Sequence, residues 1–142
     1  MDKIKKIVET YVKKYRTNNP YEIADILNIK VFYFSLGNIA GQYKYLKHTR
    51  CIFLNSDIED ENLLRVVMAH ELGHAVLHMK ENCCFMKNNT LLLTSKLELQ
   101  ANKFAAELLI RNEDIEEYKE FSKEQFSRIL GYSEKLIDLK FM

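Results

Sequence analysis

Proline occurs once and glycine four times in 142 residues. So little punctuation argues against a turn-rich chain and predicts long helices with few tight turns. Cysteine is scarce as well. Cys51, Cys83 and Cys84 are odd in number and two are adjacent, which suits no disulfide framework and points to a reducing, cytoplasmic compartment. Neither sign of charge is in excess, with 21 Lys+Arg against 20 Asp+Glu; this excludes non-specific nucleic-acid binding driven by net charge. No apolar run approaches the roughly 18 residues of a membrane span. The first residues, Met1-Asp2-Lys3-Ile4-Lys5-Lys6, lack the apolar stretch of a signal peptide. Internal repeats and low-complexity linkers are absent too.

What is present is an ordinary globular balance, 47% apolar and 29% charged, and enough chain for one domain over residues 1–142. Residues 2–16 carry a helical stripe through Ile4, Val8 and Val12, with about +4 of charge on the remaining faces, read as a solvated surface. Asn19 and Pro20 open a second, short helix, with Glu22 placed for a capping box. The period then changes. Strands are predicted over 30–35, 42–47 and 50–54, the last two joined by a hairpin at 47–50 and the third most central. Ser56 or Asp57 is expected to cap a long helix running to about Met79, apolar nearly all round and therefore buried. Residues 80–94 read as a loop. A further helix runs from Ser95 to about Ile110, and a helical extension over about 112–142 is interrupted at Gly131. The expected fold class is α+β: a small three-stranded, mainly antiparallel sheet packed on a central helix, with N-terminal helices and a C-terminal helical bundle.

The polar exceptions in the central helix carry the chemistry. His70-Glu71-Leu72-Gly73-His74 is an HExxH pattern. Two imidazoles four residues apart share one helical face and can hold one Zn²⁺, while Glu71, rotated about 100° away, stands where a base acting on water belongs. Shuffling this composition yields the pattern only about 0.01 times per chain. Burying those groups without partners costs several kcal/mol.

Such a site needs a third protein ligand. His78 lies about 12 Å along the helix from His70, too far for both to share an ion, so it is read as a supporting residue or a cleft wall. Glu98 on the next helix is the better candidate. Asn102 shares its face and could support a ligand, and Ala101 and Ala105 permit close packing of the two helices. Glu107, about 2.5 turns further on, is the competitor. Tyr43, Tyr45 and His78 are candidates for an oxyanion donor, with no basis for choosing among them. Strand 42–47 is expected to offer a sheet edge for substrate. Cys83 and Cys84 could form a redox or metal clip, although a plain loop is the simpler reading.

HELGHAVLH at 70–78, followed by ELQANKFAAELLI at 98–110, resembles the ImmA/IrrE family of bacterial and phage metallo-endopeptidases. The likeness covers roughly residues 18–132. It departs where the family often has proline, since Arg111 and Asn112 follow Ile110. The resemblance implies a minimal gluzincin-like fold, with His70, His74 and Glu98 as zinc ligands and Glu71 as the base. It also implies a protein substrate, a helix-turn-helix repressor whose cleavage relieves repression. The alternative is a zinc-binding regulator that sequesters such a repressor without cutting it. Direct DNA contact through the C-terminal helices is not expected, because Glu113, Asp114, Glu116, Glu117, Glu120 and Glu124 would repel phosphate.

Overall fold

A computed structural model describes residues 2–86 and 95–142. Its elements are α1 (Asp2–Tyr15), α2 (Pro20–Ile26), β1 (Lys30–Phe34), β2 (Ile39–Leu46), β3 (Thr49–Asn55), α3 (Glu61–Leu77), β4 (Cys83–Met86), α4 (Lys96–Leu109), α5 (Asn112–Glu117), α6 (Lys123–Leu130) and α7 (Glu134–Lys140). The α+β class is as expected. Two of the three described strand pairings are antiparallel, in keeping with a mainly antiparallel sheet, but the sheet differs in three particulars.

It has four described strands in the order β1-β3-β2-β4, not three. The added strand, Cys83–Met86, lies inside the stretch read as loop; the rest of that stretch, residues 87–94, lies outside the described residues. Four residues without a period give no local signal, and the strand exists because β2 offers it an antiparallel partner, with Tyr43 opposite Cys83. The sheet is also mixed. β1 runs parallel to β3, Lys30 opposite Cys51 through Phe34 opposite Asn55, because the chain crosses the end of β3 before β2 begins. Buried Asn55 holds that crossing, its amide donating to the carbonyls of Gly37 at 3.1 Å and Ile39 at 2.9 Å. Finally, strand 42–47 is not an edge: β2 lies between β3 and β4, so β4 forms that side of the described sheet.

The β2–β3 hairpin and the central place of β3 match the sequence reading. Lys47 and His48 make its two-residue turn with φ of 48° and 64°. A hairpin twist demands left-handed angles there, which glycine or asparagine would meet with less strain. With so few glycines in the chain, ordinary residues take these positions.

Helix boundaries follow their capping side chains. Asn19 Oδ1 accepts from the Tyr21 and Glu22 amides, but Glu22 turns to Thr17 Oγ1 and leaves the capping box incomplete. Helix α3 starts later than expected. Asp57 is engaged by the Ser35 hydroxyl and donates its amide to Asn55, so Asp60 becomes the cap, accepting from Asn62 at 2.9 Å and Leu63 at 3.3 Å. Ser95 caps α4, and left-handed Gly131 ends α6 with φ 79°.

Helix α3 packs on β2 and β3, and α4 packs on α3, α1 and α7. One contiguous apolar cluster reaches from Ile4 and Val8 through Ile52 and Leu54 to Leu136 and Leu139. Every residue of 101–110 is buried, so α4 is a central helix of the fold. No described helix is long and apolar enough to cross a membrane.

Candidate metal centre

The buried middle of α3 carries His70, Glu71 and His74. Four-residue spacing sets the two imidazoles one turn apart, with their Nε2 atoms 3.2 Å from each other. Glu98 reaches them from the first turn of α4, where its amide bonds to the Ser95 cap at 3.2 Å. Its Oε2 lies 2.7 Å from His70 Nε2 and 3.2 Å from His74 Nε2. Gly73 allows this approach. A β carbon there would lie 3.2 Å from both Cα and O of Ala101 and 3.1 Å from Phe104 Cβ. The close helix contact anticipated from Ala101 therefore also depends on a glycine inside HExxH, a role the motif itself does not announce.

The far sides of both rings are occupied. His70 Nδ1 faces Asn102 Oδ1 at 2.6 Å and must donate to it. His78 Nε2 faces Gln100 Oε1 at 2.7 Å and donates in the same way. His78 Nδ1 is then an acceptor and takes the Nδ1 proton of His74 across 2.9 Å. In the neutral tautomers that these contacts select, Nε2 of both His70 and His74 carries a lone pair, and both nitrogens face one carboxylate oxygen. Three acceptors this close need positive charge among them. A second proton on His74 is disfavoured, since burial lowers its pKa, only partly offset by Glu98. The donor set, two neutral imidazoles and an ionised carboxylate, fits a divalent cation.

Glu71 lies beside this cluster, fully buried, and neither carboxylate oxygen has a hydrogen-bond partner among the described residues. Burial, and then the Glu98 carboxylate, hold its pKa well above the usual range. Gly41 of β2 makes room for it, since a β carbon at 41 would lie 3.1 Å from Glu71 Oε2 and 2.6 Å from Val67 Cγ1. An unpaired buried carboxylate costs more than a neutral core needs to bear, and at an active site that cost leaves a group free to exchange protons.

Residues 24–140 match the family model described as the IrrE N-terminal-like domain, a peptidase family. The chain belongs to this family. It is a metallopeptidase, and membership implies a metal. Over 140 residues it is 41% identical to uncharacterized immunity region protein 2 of Bacillus phage phi105, covering 96% of this chain and 88% of that one. It is 35% identical over 143 residues to Metallopeptidase ImmA of Bacillus subtilis strain 168, covering 96% and 83%.

In this member of the peptidase family the remaining candidates separate. Glu107 does not compete with Glu98: it is buried against Lys103 at 2.8 Å and Lys140 at 2.6 Å. Tyr43 is fully buried, and its hydroxyl donates to the Met79 carbonyl at 2.5 Å, so it is a poor candidate for an oxyanion donor. Tyr45 packs edge-on to His48 at the hairpin. His78, by contrast, supports His74 directly. Cys83 and Cys84 lie on β4 instead of in a loop. Cys83 Sγ is within 4.8 Å of donor atoms on His74 and Glu98, and burial, then the Glu98 and Glu71 charges, push its thiol to about 12. Cys84 is on the other face with Gln42. Phe85 returns to the site face, its ring 4.4 Å from that of His70. Sequence reasoning missed Gln100 and Phe85 as parts of the site. Helical spacing gives no signal for the first, which stands two residues from both Glu98 and Asn102, and the second depends on the strand pairing.

Proposed function

We propose that the chain is a zinc-dependent endopeptidase that cleaves a helix-turn-helix repressor. The observation that carries the reading is the meeting of His70 Nε2, His74 Nε2 and Glu98 Oε2 within 2.7–3.2 Å beside a buried Glu71 that has no hydrogen-bond partner among the described residues. Two imidazoles and one carboxylate favour zinc among the common divalent ions and leave a coordination position open. When bound, zinc supplies Lewis acidity, polarising a peptide carbonyl and making nearby water more acidic.

The protein's own groups do the rest. Asn102 and the His78–Gln100 pair keep the two imidazoles in the tautomer and orientation that present Nε2. Glu71 takes a proton from the attacking water and returns it to the leaving nitrogen. Phe85 covers the His70 side of the site and excludes water. Among the described residues β4 pairs only with β2, so its outer edge can receive an extended peptide by strand addition, next to the side chains that line the site.

The repressor as substrate draws on the family resemblance together with the relatives' names: one is called an immunity region protein, the other a metallopeptidase. The test is co-expression with a helix-turn-helix repressor encoded beside the gene, in native and Glu71→Gln forms. Native chain is expected to cut the repressor, whereas Glu71→Gln is expected to retain zinc and leave it whole. Full cleavage by Glu71→Gln would remove Glu71 from its role. A repressor that co-purifies uncut with the native chain would make it a sequestering regulator.

A further inference from the structure

Of the three cysteines, one faces the metal centre. Residues 78–82 carry the chain from the end of α3 to β4, and β2 fixes this turn at two points. The Tyr43 hydroxyl donates to the Met79 carbonyl at 2.5 Å, and Asn82 Oδ1 accepts from the Tyr45 amide at 3.1 Å. The register that follows sets Tyr43 opposite Cys83 and Gln42 opposite Cys84. Alternation along the strand sends the two thiols to opposite faces. Cys84 meets Gln42. Cys51 is buried, with its thiol 3.7 Å from the carbonyl of Thr49 in its own strand. Cys83 shares the inner face with Phe85, and its Sγ lies within 4.8 Å of donor atoms on both His74 and Glu98.

Two further observations distinguish a ligand from a mere neighbour. The thiol has one hydrogen bond among the described residues, and it is long, 3.8 Å to the Glu81 carbonyl, so the sulfur is not committed elsewhere. Glu71 borders the same space. Its carboxylate is fully buried without a hydrogen-bond partner among the described residues, and one of its oxygens lies within 4.8 Å of donor nitrogens on His70 and His74. Two imidazoles, two carboxylates and a thiol thus surround one space, and all are metal donors. Zinc takes thiolate sulfur at about 2.3 Å, and donors on one tetrahedral zinc stand about 3.5 Å apart. A short side-chain rotation brings Cys83 to that spacing.

We propose that Cys83 is a fourth protein ligand, so that the metal-loaded chain rests with its coordination closed by His70, His74, Glu98 and Cys83. This rests on the metal centre of the proposed function. On coordination the thiol gives its proton to solvent and its sulfur donates a lone pair to the metal. Four protein ligands make a closed site, whereas catalysis needs an open position. The resting form is therefore latent, and a peptide carbonyl must displace the sulfur. Strand β4 suits a ligand that has to leave, since it is four residues long and pairs only with β2 among the described residues.

The experiment replaces zinc with Co²⁺ in the native chain, Cys83→Ala and Cys84→Ala, and records their absorption spectra. Thiolate on cobalt gives a charge-transfer band in the near ultraviolet, and bound cobalt gives ligand-field bands in the visible. The charge-transfer band is expected in the native chain and Cys84→Ala and absent from Cys83→Ala, with visible bands in all three. Visible bands alone in the native chain, or a charge-transfer band that survives in Cys83→Ala, overturn the assignment and leave the metal centre intact. No cobalt absorption in the native chain removes both. Should Cys83→Ala fail to fold, the native chain decides. Zinc should slow iodoacetamide labelling of Cys83, read by mass spectrometry, by about 10-fold and leave Cys84 unchanged, because metal-bound sulfur is no longer a free nucleophile; an unchanged Cys83 rate overturns the proposal. Latency is read by titrating acetohydroxamate, a small chelating probe, into the cobalt-loaded proteins. It should bind Cys83→Ala about 10-fold more tightly than the native chain, since no thiolate has to be displaced there. Equal affinities overturn the closed resting form.

Discussion

His70 Nδ1 and Asn102 Oδ1 lie 2.6 Å apart, both buried, the first on α3 and the second on α4. That contact connects the helix holding two candidate ligands to the helix holding the third, and it fixes which nitrogen of His70 bears the proton. Asn102→Ala removes the acceptor and frees the ring to turn or to change tautomer. Zinc affinity, measured by competition with a chromophoric chelator, is expected to fall by about 10–100-fold while far-UV circular dichroism stays unchanged. Unaltered affinity would mean that packing alone orients His70.

Gly73→Ala tests the helix spacing. Its new methyl would press on Ala101 backbone atoms 3.2 Å away, and backbone cannot move aside as a flexible side chain does. Overpacking of this kind costs about 1–3 kcal/mol, readable as a lower urea midpoint. Because the displaced helix carries Glu98, zinc affinity should drop in the same variant. A loss of stability without a loss of affinity would show that α4 adjusts without withdrawing its carboxylate.

These two contacts also show what can and cannot be read from sequence. His70, Glu71 and His74 were legible because their relation is local, set by helical spacing alone. Glu98 was harder, since its meeting with the imidazoles depends on another helix; the small residues at 101 and 105 hinted at that contact, while Gly73 supplies the other half. Ser95 and Gly131 were readable as helix ends because capping is chemistry between near neighbours. The parallel pairing of β1 with β3 and the existence of β4 were not, because strand order is decided by long-range partners. Asn55 organises the crossing that produces the mixed sheet, yet in sequence it is one asparagine among several at a strand end.

Glu107 gives a stability prediction that depends on pH. Burial favours its neutral form, but hydrogen bonds from Lys103 and Lys140 outweigh this and hold its pKa below the usual value. Lys103 also donates to the carbonyls of Leu139, Lys140 and Met142, so the group fastens α7 to α4. A depressed native pKa means that the unfolded chain takes up the proton first on acidification. The stabilisation is therefore complete above the ordinary carboxylate pKa of about 4.3 and is lost as pH falls through the lower native value. Glu107→Gln should cost about 3–5 kcal/mol at pH 7, by leaving two buried ammonium groups without their carboxylate. Its urea midpoint should also fall less steeply than the native one below about pH 4.5. Parallel acid profiles would place the acid sensitivity elsewhere.

Removing the metal should expose the cost of gathering three acceptors. A cation that binds only the folded chain stabilises it by about 2.7 kcal/mol at 100 times its dissociation constant. Urea unfolding with EDTA and with excess zinc is expected to differ by at least that much for the native chain. Glu98→Ala separates the carboxylate from the imidazoles. Glu98 is partly exposed, with 26% of its side chain accessible, so its loss should disturb the core little. At the same free zinc concentration this variant should retain less than about 1 kcal/mol of the gain, since losing one of three ligands lowers the occupancy that produces it. An equal gain in both proteins would mean that the cation rests on the histidines and some other group, with Cys83, within 4.8 Å of His74, the next ligand to substitute.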